Sequence, residues 1–290
     1  MKPSHNQAVL LMVVVTLLWS TAGVVTRQLE SARSFEITFW RSAFTALSLL
    51  VMLPMFQGRQ VFRQIFQGTK TFWISGACWS VMFTAFMLAL TMTSVANVLI
   101  TMSLGPLLTA LVARIFIGHR IPMRTWLAIF VAGAGIVYMY AAQISDASLV
   151  ATLVTLCVPL AGAVNWTLTQ NSHAQGQDVD LIPAVLVGAV ISMAMTLPLA
   201  FPFQATFHDL IFLAFLGLGQ LAIPCVLSVM CARILKAPEI SLLALLEVVF
   251  GILLAWVGAH EVPNDSVLIG GIVVMSALLV NELIAWRIRG

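Results

Sequence analysis

The sequence predicts an all-α integral membrane protein with about ten transmembrane helices in two inverted five-helix repeats. Of the 290 residues, 61% are hydrophobic and only 9% are charged, whereas a soluble domain carries about 25% charged residues. Apolar runs of about 20 residues, long enough to cross a bilayer core as helices, recur along the whole chain. The runs are continuous rather than alternating, which favours helices over the strands of a membrane barrel.

We number the ten runs spans 1 to 10 in chain order. They cover residues 7–26, 35–55, 71–92, 95–116, 124–141, 149–169, 181–200, 209–230, 239–258 and 267–286. Only Thr93 and Ser94 separate spans 3 and 4, and a helix over 71–116 would be too long for one crossing, so we expect a tight turn there. Span 1 is longer than the apolar core of a cleaved signal peptide, about 7–15 residues, and is therefore predicted to be a retained helix.

The positive charges of the short loops predict the orientation of the chain. One side would carry Lys2, Arg59, Arg63, Lys70, Arg114, Arg120, Arg124, Arg233, Lys236, Arg287 and Arg289. The other side would carry only Arg27, Arg33 and Arg41. Because Lys and Arg concentrate in cytoplasmic loops, both termini are predicted to be cytoplasmic in a multi-pass protein of the cell inner membrane. The loop 170–180 departs from this pattern, because it is acidic and has no basic residue.

A weak internal repeat divides the chain into two halves. A shift of 141 residues lays Ala96–Pro122 onto Ala237–Pro263 without a gap, with similar hydropathy and a shared terminal His-x-x-Pro. Five helices per half invert the second half relative to the first, so we predict repeats over 1–145 and 146–290 in one membrane domain. Inverted repeats are common in secondary transporters, where the binding site lies near the midplane between the halves.

Glu247 is the leading candidate for a functional residue, because it is an acidic side chain near the centre of span 9. Carboxyl groups inside membranes are costly and usually face a cavity or a partner. We expect either proton coupling or contact with a substrate amine; the alternative is a protonated carboxyl bonded to a neighbouring helix. Pro106 aligns with Glu247 under the shift of 141 residues and is expected to bend span 4 beside the site. Pro159 and Pro224 would bend spans 6 and 8.

Other candidates are polar or aromatic side chains at the expected depth of the site. The polar ones are Ser20, Thr84, Asn97, Thr101, Asn165, Gln220 and Ser241. Each could bind a substrate or could join two helices, and such helix–helix bonds contribute only about 0.6 kcal/mol on average. Trp19, Trp79 and Trp166 could line an apolar pocket or stack on a cation, or could serve as ordinary packing residues.

Arg41 lies about two turns into span 2, towards the side with few positive charges. A long basic side chain near a helix end usually extends to the interface, and this is the predicted role of Arg41. Recognition of a carboxylate is the alternative.

Several short motifs occur in the order of a known family. They are Leu17-Leu18-Trp19-Ser20, Arg41-Ser42-Ala43-Phe44 followed by Ala46, Leu104-Gly105-Pro106-Leu107-Leu108-Thr109-Ala110, and Leu245-Leu246-Glu247-Val248-Val249. In these motifs and in its five-plus-five layout the chain resembles EamA-type members of the drug/metabolite transporter superfamily. Val248 stands where the family has proline, and His119 where it often has glutamate. The resemblance implies a central cavity lined by spans 1, 3, 4, 6, 8 and 9, and efflux of amino acids, other metabolites or drugs.

A transporter of a small molecule is therefore the predicted class, with the lipid bilayer as its solvent and protons as a candidate coupling ion. A membrane-embedded enzyme and a non-transporting scaffold are the alternatives. All five histidines fall in tails or loops, and the four cysteines have no metal-ligand spacing, so we expect no catalytic site, metal, cofactor or disulfide. The sequence has no ATP-binding motif and no basic cluster for nucleic acid, and a gradient must supply the energy. Few fixed charges lie at the site, which favours a neutral, zwitterionic or monocationic substrate.

Overall fold

The structure is a computed structural model that describes residues 4–118, 121–141, 146–174, 180–232, 234–235 and 237–289. Within these residues every regular element is helical and no strand occurs. The helices are α1 (His5–Thr26), α2 (Ser34–Gln57), α3 (Val61–Phe66), α4 (Lys70–Met92), α5 (Val95–Met102), α6 (Gly105–Ile117), α7 (Met123–Ala141), α8 (Asp146–Ala174), α9 (Ile182–Ala200), α10 (Phe207–Gly217), a π-helical turn (Leu218–Ala222), α11 (Ile223–Ala232), α12 (Ala237–Ala259) and α13 (Asp265–Arg289).

A helix or a pair of consecutive helices occupies each of the ten predicted spans. Spans 4 and 8 are the composite ones, made of α5 with α6 and of α10 with α11. Among the described residues, seven helical stretches are long and apolar enough to cross a membrane, and three further apolar helices are shorter (Met123–Met139, Leu243–Ala259 and Asp265–Asn281). The all-helical fold is thus confirmed for the part of the chain described, while the number of crossings stays a prediction.

The tight turn predicted between spans 3 and 4 is confirmed. α4 ends at Met92 and α5 begins at Val95. The Ser94 hydroxyl accepts a hydrogen bond from the backbone N–H of Asn97, at 3.2 Å, and so caps the first turn of α5. A side-chain acceptor at this position satisfies a donor that has no partner within the helix.

Two spans are interrupted, and each contains one of the prolines expected to bend it. The fourth span breaks at Ser103 and Leu104, and Pro106 lies in the first turn of α6. The sequence predicted a kink within one continuous helix, but a proline is best tolerated where the backbone N–H needs no partner, and a new helix begins there instead. In span 8 the π-helical turn ends at Ala222, two residues before Pro224. Pro224 cannot donate to the carbonyl of Gln220, which accounts for the widened turn.

The helices pack in a small number of extensive pairs. α1 packs against α12 and α11, and α8 packs against α6 and α4. α9 packs against both α2 and α4, α10 packs against α2, and α7 packs against α13. Small residues permit the closest approaches, since a Cβ at Gly135 would lie 3.0 Å from the carbonyl oxygen of Gly270. Gly135 of span 5 thus lies in a close helix contact with Gly270 of span 10, whereas Gly133 faces open space.

Candidate functional site

Arg41 is buried inside the helical bundle, with a relative exposure of 2%. The prediction that it extends to the membrane interface is therefore wrong. Thr38, Arg41 and Thr45 recur at helical spacing on the buried face of α2, and this face packs against α9, α10 and the π-helical turn. The depth of a residue along a helix does not reveal which way the side chain points, and here it points inward.

Gln220 is the hydrogen-bonding partner of Arg41. The guanidinium Nη2 and Nε of Arg41 donate to Gln220 Oε1 at 2.8 and 3.3 Å. The rings of Phe83 and Phe86 lie beside the guanidinium, with their centroids 5.9 and 5.5 Å from Cζ, within the range of cation–π attraction. The Nη1 atom of Arg41 is enclosed and has no hydrogen-bond partner among the described residues.

The π-helical turn connects Gln220 to the first helix as well. Gln220 Nε2 donates to the backbone carbonyl of Trp19, at 3.2 Å, and Gln220 itself is 2% exposed. A π-helical turn often marks a functional position, because it displaces a side chain from the regular α-helical register. Here it presents one amide side chain to α1 and α2 together.

Glu247 lies on α12. Arg41 and Glu247 are both within electrostatic range of Cys225, which places the two side chains in the same region of the bundle. Glu247 is partly exposed, and no group among the described residues donates a hydrogen bond to it or forms an ion pair with it. The alternative role of Glu247 was a carboxyl hydrogen-bonded to a neighbouring helix, and the described part of the chain provides no partner for such a bond.

A second group of side chains, hydroxyls and one amide, forms hydrogen bonds between helices. The Ser42 hydroxyl donates to Ser192 Oγ at 3.0 Å, and Ser192 Oγ and Thr84 Oγ1 are hydrogen-bonded at 2.8 Å. The Ser75 hydroxyl donates to Asn165 Oδ1 at 2.6 Å. Together with the contacts of Gln220, these hydrogen bonds join spans 1, 2, 3, 6, 7 and 8.

We use the name polar belt for the groups that form these hydrogen bonds: the Trp19 carbonyl, Gln220, Arg41, Ser42, Ser192, Thr84, Ser75 and Asn165.

The remaining predicted residues are distributed around this belt. The Ser20 hydroxyl donates to Leu17 O at 2.7 Å within its own helix. Asn97 and Thr101 are buried on α5, where Asn97 Nδ2 donates to Thr93 Oγ1 at 3.0 Å. Both also take part in further contacts. Their role as substrate contacts stays a prediction.

The aromatic candidates and Ser241 have different surroundings. Trp79 is partly buried against Phe83, with ring centroids 5.4 Å apart. Trp166 is 49% exposed and lies apart from the Arg41 group, although its neighbour Asn165 is buried. The side chain of Ser241 lies outside the described residues.

An ion pair that the sequence analysis did not predict lies at one end of the bundle. Arg27 Nε donates to Glu261 Oε2 at 2.7 Å, and its Nη atoms donate to the carbonyls of Leu90 and Thr93 at 2.6 and 2.8 Å. Glu261 Oε1 accepts from the backbone N–H of Val95 at 2.6 Å. One cluster thus connects α1, the turn between α4 and α5, and the segment after α12. We call this the Arg27 end.

Two buried carboxylates accept hydrogen bonds from the backbone of two further loops. Asp209 accepts hydrogen bonds from the backbone N–H groups of Glu30, Ser31, Ala32 and Thr206, at 2.8 to 3.2 Å. Glu36 accepts from those of Gln204 and Ala205, at 2.8 to 3.0 Å. The α1–α2 loop and the α9–α10 loop are held together in this way. Acidic residues within the first turn of α2 and α10 were the available signal for these contacts.

Comparison with known proteins supports the fold and relates the first half of the chain to a known family. A solved crystal structure, described only as that of a protein, is similar over 99% of this chain and 100% of its own, with a TM-score of 0.67 and 18% identity. No curated protein gives a significant match. The profile of the EamA-like transporter family matches residues 6–141. Within those residues the chain is similar to this family, which belongs to the drug/metabolite transporter superfamily, and its apolar helices are those of a multi-pass membrane protein.

Proposed function

We propose that the protein is a secondary transporter that exports a small amphipathic metabolite, such as an amino acid, or a drug across the cell inner membrane. The match of residues 6–141 to a transporter family supports transport of a small molecule. The observation that carries the proposal is the polar belt, because apolar helices rarely bury an arginine and two amide side chains without a functional reason. A pure scaffold would have little use for these groups.

We also propose that residues 1–145 and 146–290 are inverted repeats that move against each other in alternating access. The packing of helices supports this proposal. α1 on α11 and α12 corresponds to α8 on α4 and α6, and α2 on α10 corresponds to α9 on α4. The hydrogen bonds follow the same correspondence.

In the polar belt, Gln220 bonds to span 1 and to span 2. Correspondingly, Ser75 and Thr84 of span 3 bond to span 6 and to span 7. Each of these bonds joins a helix of one repeat to a helix of the other, and the pairs made by span 8 correspond to the pairs made by span 3.

Both termini are proposed to be cytoplasmic, which makes the Arg27 end the outer end. This orientation can be tested by labelling single cysteines with an impermeant thiol reagent in intact cells, after replacing the four native cysteines. Gln60→Cys, on the exposed loop before α3, should resist labelling until the cells are broken, and Asn264→Cys, exposed after α12, should react at once. The opposite pattern would reverse the assigned orientation.

Transport itself can be tested in proteoliposomes. Labelled amino acids and a fluorescent cationic dye would be offered with and without an imposed pH gradient, beside protein-free liposomes. Protein-dependent movement of one or more of these solutes supports the transporter, and stimulation by the gradient supports proton coupling. Absence of protein-dependent movement for every solute, from protein that is monodisperse and correctly folded, would contradict the proposed substrate classes.

A further inference from the structure

Arg41 is a buried cation without a described counter-ion. Its guanidinium remains charged at any physiological pH, and transferring an unpaired charge out of water is strongly unfavourable. Among the residues that the structure describes, no carboxylate forms an ion pair with it. The buried carboxylates Glu36 and Asp209 are engaged by backbone N–H groups instead. Gln220 supplies a carbonyl dipole, which compensates only part of a full charge.

The hydrogen bonds already made leave one edge of the guanidinium unused. A guanidinium carries five N–H groups, one on Nε and two on each Nη. Gln220 Oε1 accepts from Nε and Nη2 along one side. The end formed by Nη1 and the second N–H of Nη2 remains, and in the described part of the chain Nη1 has no hydrogen-bond partner. This end has the parallel geometry that binds the two oxygens of a carboxylate.

We propose that Arg41 binds the carboxylate of the transported solute, which rests on the proposed function as a transporter. One positive charge matches one carboxylate. Apart from Arg41, the stretches 6–26, 34–57, 71–92, 209–232 and 237–259 contain no Lys, Arg or His, so a phosphate dianion would lack a second cation. A purely cationic drug would leave Arg41 without its counter-ion.

The neighbouring groups suit the remainder of such a solute. The rings of Phe83 and Phe86 lie beside the guanidinium. Glu247 is in the same region of the bundle, since both it and Arg41 are within electrostatic range of Cys225. An amine on the solute can therefore face the Glu247 carboxyl while the carboxylate of the solute meets Arg41. Nη1 is enclosed in this state, and the solute reaches it when the halves rearrange, as alternating access requires.

A purely structural arginine, which only joins α2 to span 8, would give different results in a binding experiment. Its loss would lower stability and would weaken all ligands alike. A carboxylate-binding arginine makes the affinity depend on whether the ligand carries an acid or an amide. The ratio of the two affinities is therefore the informative quantity, because it is independent of the amount of folded protein.

The experiment is a thermal-shift titration of the full chain in detergent. The ligands are the proteinogenic amino acids and short-chain monocarboxylates, each beside its own carboxamide, and the proteins are wild type, Arg41→Gln, Arg41→Lys and the control Arg114→Gln. Arg114 is exposed on α6. We expect at least one acid to bind wild type roughly ten- to a hundredfold more tightly than its amide, because hydrogen bonds between charged groups are strong. Arg41→Gln should remove that preference, Arg41→Lys should retain part of it, and Arg114→Gln should keep it whole.

Two results would overturn the proposal. One is that no acid binds wild type better than its amide, and the other is that the preference persists in Arg41→Gln. If Arg41→Gln does not fold, Gln220→Leu replaces it, because that variant keeps the charge but removes the group that orients it, and the preference should then shrink. Protein-dependent transport of the cationic dye without any acid preference would reject the carboxylate site and leave the transporter function standing.

Discussion

Arg27 at the end of α1 and Glu261 after α12 form a hydrogen-bonded ion pair, with Nε and Oε2 separated by 2.7 Å. The two residues are 234 positions apart in the sequence. Both side chains are partly exposed, at 30% and 21%, so solvent screens the charge attraction. The pair nevertheless positions Arg27 to bind the backbone carbonyls of Leu90, in the last turn of α4, and of Thr93, in the α4–α5 turn. Arg27 thus has more connections than a residue of an ordinary surface pair.

Removing the Arg27–Glu261 pair should loosen the Arg27 end more than it destabilises the protein. We expect Arg27→Gln to raise amide hydrogen exchange in residues 27–32 and 90–95, and to lower the free energy of unfolding by about 1 kcal/mol. A double-mutant cycle with Glu261→Gln measures the coupling, and Arg33→Gln is the control. Strictly additive effects of the two substitutions would show that the pair contributes nothing beyond its separate contacts.

Glu247→Gln should remove the response to a pH gradient while leaving downhill transport of the same solute. Glutamine has nearly the same shape as glutamate but cannot release a proton, so a carrier that relies on Glu247 becomes a facilitator. Proteoliposome uptake with and without the gradient measures this change, and Asp265→Asn, exposed at the start of α13, is the matched control. Equal stimulation of wild type and Glu247→Gln would assign coupling to another group.

Ser75→Ala should lower stability by about 1 kcal/mol. The Ser75 hydroxyl donates to Asn165 on another helix at 2.6 Å, and hydrogen bonds between membrane helices contribute about 0.6 kcal/mol on average and up to about 1.7 kcal/mol. Ser48→Ala is the comparison, because Ser48 donates only to Phe44 O within its own helix. In a titration with a denaturing detergent, Ser75→Ala should unfold at a lower midpoint than Ser48→Ala. Equal midpoints would show that the bond between helices stabilises the protein no more than a bond within one helix.

Gly188→Ala should be far more harmful than Gly133→Ala. A Cβ at Gly188 would collide with Trp79 Cβ and would lie 3.0 Å from the carbonyl oxygen of Gly76. Overpacking of this kind costs about 1–3 kcal/mol. A Cβ at Gly133 would meet no atom within 4 Å, and alanine is the better helix former, so that variant should be neutral or slightly stabilised. The yield of monodisperse protein and its melting temperature test the contrast.

The helices were predictable because membrane spans are defined by length and hydropathy. The turn at Thr93 and Ser94 followed from the limit on one crossing. The rotation of each helix was not predictable, because lipid-facing and packed faces are both apolar and leave little periodic signal. Arg41 illustrates the difference: its depth in span 2 was evident from the sequence, but its inward direction was not.

The candidate site was recovered in part for a related reason. Glu247, Gln220 and Asn165 stand out because their side chains are strongly polar within apolar runs. Ser42 and Ser192 were missed, since a helical hydroxyl is commonly satisfied by its own backbone and then needs no partner on another helix. The pairing of Ser42 with Ser192 depends on which helices are neighbours, and only the folded chain provides that information.

The widened turn at Leu218–Ala222 has a consequence for how the eighth span is compared between relatives. A π-helical turn accommodates one more residue than an α-helical turn, and each α-helical residue rotates the chain by about 100°. The residues before and after the turn are therefore out of phase by that angle. A relative with a regular helix at this position would align with this chain only with a one-residue gap inside the membrane segment. An alignment without the gap would pair inward-facing positions of one protein with lipid-facing positions of the other.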